Sequence, residues 1–474
     1  MSSFPASLLL VLALAAGCKT GSTSHPPFPR PCPKEAPGPA QLPDVRDEQL
    51  HAAYWIALTP HAQALLLDGQ GLAEHNKRLQ ALKNDDGWPV GRDATATPNG
   101  VALDQRIHGD LVKLREAIKL GKRLAPDGSK PRDLLRQVEN AVATIAPVDE
   151  WRVALRGSSL RCYPSNAPLY DEPWADAFDM LQCSYLRFGE VVRVLRKSSS
   201  FWYVRTSYSG GWVDPHALGP PLPAEQLSAY TEATRFFVIT RADAAVISKP
   251  DGPLIGIAKL GLTLPLADQP AANGLTRVVI PTTDGLGSAW VASSAGTDKF
   301  LPLTRASVWK TAFRLLHQPY SWGGIGGGRD CSRMLMDVFD AHGLHLPRNS
   351  WQQSQAGVSS VDVENQTDRL KGQAISAAAE RGILLLYFPG HIMLYLGQDR
   401  GKHYALHQFS GYLVPCKDGG ETMVRANRVT VTTLELGRGS SRRSFIERLT
   451  RIVIIGANTS KTSPTSTATN TQSY

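Results

Sequence analysis

Residues 319–357 read PYSWGGIGGGRDCSRMLMDVFDAHGLHLPRNSWQQSQAG, and this stretch decides the fold of the C-terminal third. A glycine-rich turn delivers the chain to Asp330-Cys331-Ser332, after which Met334, Leu335, Val338 and Phe339 recur at helical spacing until Gly343. The spacing predicts a buried helix with Cys331 in its first turn. There the helix dipole and unpaired backbone N–H groups favour thiolate over thiol. A thiolate is the nucleophile that acyl transfer from an amide requires, and the free Cys331 N–H can help hold an oxyanion. The glycines do not make a nucleotide-binding loop. Arg329 stands where G-x-G-x-x-G needs its last glycine, and no Lys-Ser/Thr follows. The bland alternative is an inert buried thiol, which the flanking motif disfavours.

A base must come from elsewhere. Residues 383–388 (ILLLYF) predict a buried strand, and Pro389-Gly390 turns the chain into HIMLYL at 391–396. His391 then opens a second strand, able to face a helix N-terminus while Ile392, Leu394 and Leu396 pack inward. The next strand, 403–409, offers His403, His407 and Gln408. One of them should accept the other imidazole N–H and fix its tautomer. By alternation His403 and His407 share a face and Gln408 points the other way. A single histidine is commonly a plain core or surface residue; three clustered after a Pro-Gly-His turn favour His391 as base and His407 as its partner.

Outward from this region, the 474 residues imply several domains, and 42% hydrophobic with 20% charged residues is an ordinary globular composition. The net charge of +9 suits an anionic partner, but the basic residues are scattered without interleaved aromatics, so a nucleic-acid partner is not expected. Leu8 to Ala16 is an apolar run too short to span a bilayer, and it precedes Gly17-Cys18; it fits a signal peptide. Residues 19–44 are rich in Pro, Ser, Thr and Gly and predict a tether. Residues 45–150 predict a mostly helical N-terminal domain, with amphipathic helices over 110–124 and 132–145. From 151 to 303 short β runs replace helices (EVVRVL at 190–195, FWYVR at 201–205, FFVIT at 236–240), enough for two small barrels at 151–220 and 230–303. Residues 305–455 form the last domain, and 459–474 a Ser/Thr-rich tail expected to be disordered. No cysteine lies in a C-x-x-C pair, so no zinc ribbon or redox motif is predicted. Cys162 and Cys183 fall in one predicted small domain and are candidates for a disulfide in an oxidising compartment.

Together these residues carry a resemblance. Tyr320-Ser321-Trp322-Gly323-Gly324, Asp330-Cys331-Ser332, Leu346-Pro347-Arg348-Asn349-Ser350 with Gln353, Gly390-His391 and His407 resemble, in order, the NlpC/P60 cysteine peptidases. Residues 160–213 look like the first bacterial SH3-type (SH3b) module of multidomain members. The implied fold class is α+β: a papain-like catalytic domain preceded by two SH3-like β-barrels and the helical N-terminal domain. By position the resemblance makes Cys331 nucleophile, His391 base and His407 the orienting third residue. It places Tyr320 near the oxyanion, and Asp330 and Ser332 at the free amine of a substrate's first L-alanine. The implied substrate is a peptidoglycan stem peptide, cut between γ-D-glutamate and the diamino acid, with no cofactor and no catalytic metal. Where many members have DCSG, this chain has Arg333; Arg348 and Ser350 read as structural, Ser350 as a helix N-cap. Ala15-Ala16-Gly17-Cys18 resembles a lipobox, although residues 2–7 lack the usual basic residue. It implies lipidation at Cys18 and a membrane-anchored, cell-envelope location. The rival readings are a catalytically dead wall-peptide binder, a zinc site made of Cys331, His391 and His407, and an amidase or acyltransferase on the same fold.

Overall fold

The computed structural model describes residues 32–83, 91–95, 100–172, 178–268 and 273–456. Cys18, the predicted signal peptide and the C-terminal tail lie outside them. Among the described residues no helix is long and apolar enough to cross a membrane.

The C-terminal region is a seven-stranded sheet. Its strands run spatially in the order Glu35–Pro37, Glu421–Thr433, Lys402–Pro415, His391–Asp399, Ile383–Phe388, Arg451–Ile455 and Ser359–Asp362. All neighbours are antiparallel except the first pair. All six residues of ILLLYF are buried, because the Cys331–Asp340 helix and the helices at 52–58 and 305–313 share their core. Each fully buried Leu or Ile contributes roughly 1.5–3 kcal/mol. His391 pairs with Phe388 across the Pro389-Gly390 turn, so the turn fixes where His391 enters the sheet.

A six-stranded antiparallel sheet has the order Ala146–Val153, Val191–Lys197, Trp202–Arg205, Gly210–Val213, Ser158–Arg161 and Gln182–Leu186. It begins at Ala146, inside the stretch expected to be helical. A second β unit combines a four-stranded sheet (243–247, 254–259, 275–282, 285–292) with a three-stranded one (236–239, 263–265, 296–297) around Ile239, Val246, Leu264, Val278 and Val291.

Two expectations are corrected. Residues 32–44 are not all tether: Glu35–Pro37 pairs in parallel with Met423–Arg425, Leu42 is buried, and a Cys32–Cys416 disulfide holds the segment. Nor do the helices of 45–150 share a core of their own. Trp55, Leu66 and Leu79 join the C-terminal core. The helices Gly100–Lys119 and Arg132–Ala143 instead bury Leu103, Ile107, Leu111, Leu114 and Val138 against Leu181, Leu195, Phe201 and Trp212 of the six-stranded sheet region. Amphipathic periodicity reports an apolar face but not which surface covers it. The second disulfide joins Cys162 to Cys183.

Candidate active site

Cys331 is the first residue of a ten-residue helix whose side chains are all buried. Asp330 caps it: its Oδ1 accepts the Arg333 N–H at 2.8 Å. The preceding glycines fit the chain against the Gln182–Leu186 strand. At Gly323 (φ 58°) an added Cβ would come 2.6 Å from Gln182 Cγ, and at Gly324 (φ 81°) 3.0 Å from Tyr185 Cβ, so positive φ and close approach both exclude larger residues. Trp322 clamps the turn by donating its indole N–H to the Asp179 carbonyl at 2.9 Å. Cys331 is 8% exposed and is the free cysteine among the described residues.

His391 Nε2 lies 2.7 Å from His407 Nδ1, and His407 Nε2 lies 2.9 Å from Thr432 Oγ1. With His391 Nε2 committed to His407, the other ring nitrogen, Nδ1, is the one free to take a proton from a nucleophile. The chain then runs one way: His391 Nε2–H donates to His407 Nδ1, and His407 Nε2–H donates to Thr432 Oγ1. The other two candidates are engaged elsewhere. His403 Nδ1 pairs with the Tyr395 hydroxyl at 2.9 Å, and the Gln408 amide donates to the Pro319 carbonyl next to Tyr320. Aromatic rings hold the imidazoles: Phe445 stacks on His391 (centroids 6.0 Å) and meets His407 edge-on (4.9 Å), while Phe388 lies 5.3 Å from His391.

Electrostatics depart from the expectation of a thiolate favoured by the helix start. Burial, then the Asp330 carboxylate, push the Cys331 thiol up to about 12, opposed by the Ile392 and Ser332 backbone N–H groups. Burial, then the Arg448 guanidinium, push His391 down to about 3. Burial, His391 and Arg448 hold His407 well below the ordinary histidine value. The resting pair is therefore neutral thiol and neutral imidazole. A capping carboxylate cancels the helix dipole that the sequence argument relied on. The Ile392 N–H acting on the thiol belongs to the residue after His391, which brings the start of the histidine strand against Cys331.

Asp330, Ser332 and Tyr320 gather around Cys331. Ser332 Oγ donates to Asp330 Oδ1 at 3.1 Å. Burial, followed by the Cys331 and Asp330 charges, raises the Tyr320 phenol far above its ordinary value, so it stays an O–H donor. Arg348 is ion-paired to the capping Asp330. Its guanidinium takes Asp330 Oδ2 at 2.8 Å and Oδ1 at 3.1 Å, and its Nε donates to Ser184 Oγ at 2.7 Å. Burial works against the Asp330 charge, but Arg348 outweighs it and holds the carboxyl below its usual range. Ser350 is not the N-cap; Asn349 is, accepting the Gln352 N–H at 2.8 Å. Arg333 is buried, bonded to Asp337 (2.7 Å) and to the Tyr185 carbonyl (3.2 Å). Thr432, Ser184, Phe445 and Arg448 escaped the sequence reading, as did the pairing of Arg348 with Asp330. Only Arg348 left a trace, inside LPRNS; the others come from elements whose neighbours no spacing reveals.

The NlpC/P60 family profile matches residues 317–434, which contain Cys331, His391, His407 and Thr432. Residues 317–434 are an NlpC/P60 domain. A Bacillus cereus gamma-D-glutamyl-L-lysine dipeptidyl-peptidase is 25% identical over 302 residues, 61% of this chain and 83% of that protein. The Bacillus subtilis protein of the same description is 33% identical over 101 residues, 21% of this chain and 32% of its own length. Among solved structures, an NlpC/P60 endopeptidase from Photobacterium damselae subsp. piscicida has a TM-score of 0.67 at 14% identity, covering 84% of this chain and 96% of that one. That likeness gives the fold. With the family match and the peptidase relatives, the NlpC/P60 domain is that of a cysteine peptidase.

Proposed function

We propose that this NlpC/P60 protein hydrolyses the γ-D-glutamyl–diamino acid bond of peptidoglycan stem peptides that carry a free N-terminal L-alanine. The observation that carries the reading is the His391–His407–Thr432 chain at the start of the strand against Cys331. Cys331 Sγ attacks the γ-carbonyl while His391 Nδ1 takes its proton. The oxyanion forms near the Cys331 N–H and the Tyr320 hydroxyl. The imidazolium, steadied by His407, then protonates the leaving amine, and water releases the acyl group from sulfur.

Asp330 and Ser332 receive the substrate ammonium. Asp330 Oδ1 already accepts from the Arg333 N–H, Ser332 and Arg348, whereas Oδ2 accepts from Arg348 alone, so Oδ2 keeps a lone pair for an ammonium. The six-stranded sheet, read as the first SH3b module, walls this end: Ser184 bonds Arg348, and Gln182 and Tyr185 press on the glycine turn. The second β unit is read as the other SH3b module. Two disulfides support export to an oxidising compartment, in keeping with lipidation at Cys18 and an envelope location. A groove closed at this end favours short free-amine peptides over intact wall.

The test is purified protein on L-Ala-γ-D-Glu-diaminopimelate peptides beside Cys331→Ala. Release of L-Ala-D-Glu by the wild type alone is expected. Cleavage by the alanine variant, or by neither protein on free and cross-linked stems, overturns the proposal.

A further inference from the structure

Arg448 is the charge the proposed mechanism does not use. It lies on the short helix Phe445–Arg448, just before the strand Arg451–Ile455. Its guanidinium carbon sits 4.3 Å from the Phe388 ring centroid and 5.1 Å from that of Phe445. These two rings flank His391. Among the described residues it has no ion pair, and its buried Nε meets no acceptor. The neighbouring acid, Glu447, is spent on the Ser444 N–H at 2.7 Å and on the Ser444 hydroxyl, a capping box that closes the helix. Burial, then the Arg442 and Arg443 charges, bring Arg448 down to about 10, with Glu447 opposing at a distance beyond an ion pair.

An unpaired guanidinium beside a general base is a cost. It opposes formation of the imidazolium at His391 and His407, and at His391 the Asp330 carboxylate works against it from the other side. The cost disappears when an anion binds. Position says which part of a substrate that is. Asp330, Ser332 and the six-stranded sheet lie on the Cys331 side. His391 hands its proton to the leaving amine, so groups packed beyond His391, on Phe388 and Phe445, flank the leaving residue.

We propose that Arg448 forms a carboxylate-binding subsite for the leaving diamino acid, so the enzyme selects leaving residues that carry a free carboxylate there. This inference rests on the proposed γ-glutamyl cleavage. Two carboxylates offer the same chemistry: the α-carboxylate of the leaving residue, and the distal carboxylate of a diaminopimelate. A planar guanidinium half-seated on aromatic rings keeps an open N–H edge for such a group.

The experiment uses the full chain on L-Ala-γ-D-Glu peptides with four leaving residues: L-lysine, L-lysine amide, and meso-diaminopimelate with its α-carboxyl either free or amidated. Wild type should show a KM about tenfold lower for the substrate that carries the recognised carboxylate than for the one that lacks it (acid against α-amide, or diaminopimelate against lysine), the size of one charge-assisted hydrogen bond. Arg448→Met should bring the KM ratio of that pair near one, and Arg448→Lys should keep part of it. If diaminopimelate with an amidated α-carboxyl is still preferred to lysine amide, the distal carboxylate is the ligand; if not, the α-carboxylate is. A purely structural Arg448 would change acid and amide substrates alike. Equal wild-type KM values for all four substrates, or a wild-type preference left unchanged in Arg448→Met, would overturn the subsite while leaving γ-glutamyl cleavage standing. Absence of wild-type cleavage on all four substrates removes the cleavage reading and the subsite with it. If Arg448→Met does not fold, the wild-type ratio and the Lys variant still decide.

Discussion

The two flanks of Cys331 handle charge in opposite ways. On the Asp330 flank the buried carboxylates are matched to guanidinium groups. Asp330 takes Arg348, Asp337 takes Arg187, Arg329 and Arg333 at 2.7–2.9 Å, and Asp340 takes Arg92 at 3.2 Å. Burial works against the Asp337 charge, but these arginines hold the carboxyl far below its usual range. On the His391 flank the fold supplies aromatic rings, neutral imidazoles and Arg448, which has no ion pair among the described residues. Paired charges make a fixed wall between the six-stranded sheet and the Cys331 helix, since Arg187 comes from the sheet region and Asp337 from the helix. The unpaired side is left for protons and substrate to change. Rigidity sits on one flank and chemistry on the other.

Removing Asp337 should have the largest effect. Asp337→Leu takes the shared carboxylate from three buried guanidinium groups, leaving Glu190 to Arg187 and Arg333 and none to Arg329 among the described residues. Breaking a buried network of this kind costs about 3–5 kcal/mol. Urea unfolding should show that loss; a loss below about 1 kcal/mol would mean the network is not a wall. Acidification should act on the other flank first. His391 is pushed down to about 3 and His403, on the neighbouring strand, to about 4, both by burial first. His75 and His342 are likewise pushed down to about 4. An unfolded chain binds these protons below about pH 6.5, so stability rises with pH through the window between about 4 and 6.5 and is lost as pH falls through it. The slope reaches about 1.4 kcal/mol per pH unit for each group. Urea midpoints from pH 7 to 4 measure it, and a flat profile would show that these histidines are charged in the folded state. The smallest effect belongs to Thr432. Thr432→Val removes the acceptor that fixes the His407 tautomer and should lower kcat about tenfold with KM little changed, while Thr432→Ser retains most activity. A parallel loss in both variants, or a change confined to KM, would break the proposed relay.

Much of the C-terminal region was legible because its signals are local. Hydrophobic spacing placed the Cys331 helix, ILLLYF and the His391 strand, and Pro389-Gly390 marked the turn that sets His391 in register. The helices expected over 110–124 and 132–145 lie at Gly100–Lys119 and Arg132–Ala143: the spacing revealed them, but the first starts ten residues earlier and ends five earlier than its apolar pattern suggested. Contacts between segments distant in sequence were not legible. Arg348 reaches Asp330 across 18 residues and Ser184 across 164. Thr432 meets His407 only through pairing of the 402–415 and 421–433 strands. The Pro-rich composition of 19–44 concealed a three-residue parallel strand and a cysteine whose partner lies 384 positions away. The helix-dipole argument for a thiolate was sound as a local effect but omitted the Asp330 carboxylate and the burial that oppose it.

The account depends on Cys331 giving its proton to His391, and alkylation by iodoacetamide measures that without a substrate. Rates at Cys331, followed by mass spectrometry from pH 5 to 10, should fall at least about tenfold at pH 7 in His391→Ala and recover only at alkaline pH. Equal rates in wild type and His391→Ala across the range would contradict the account.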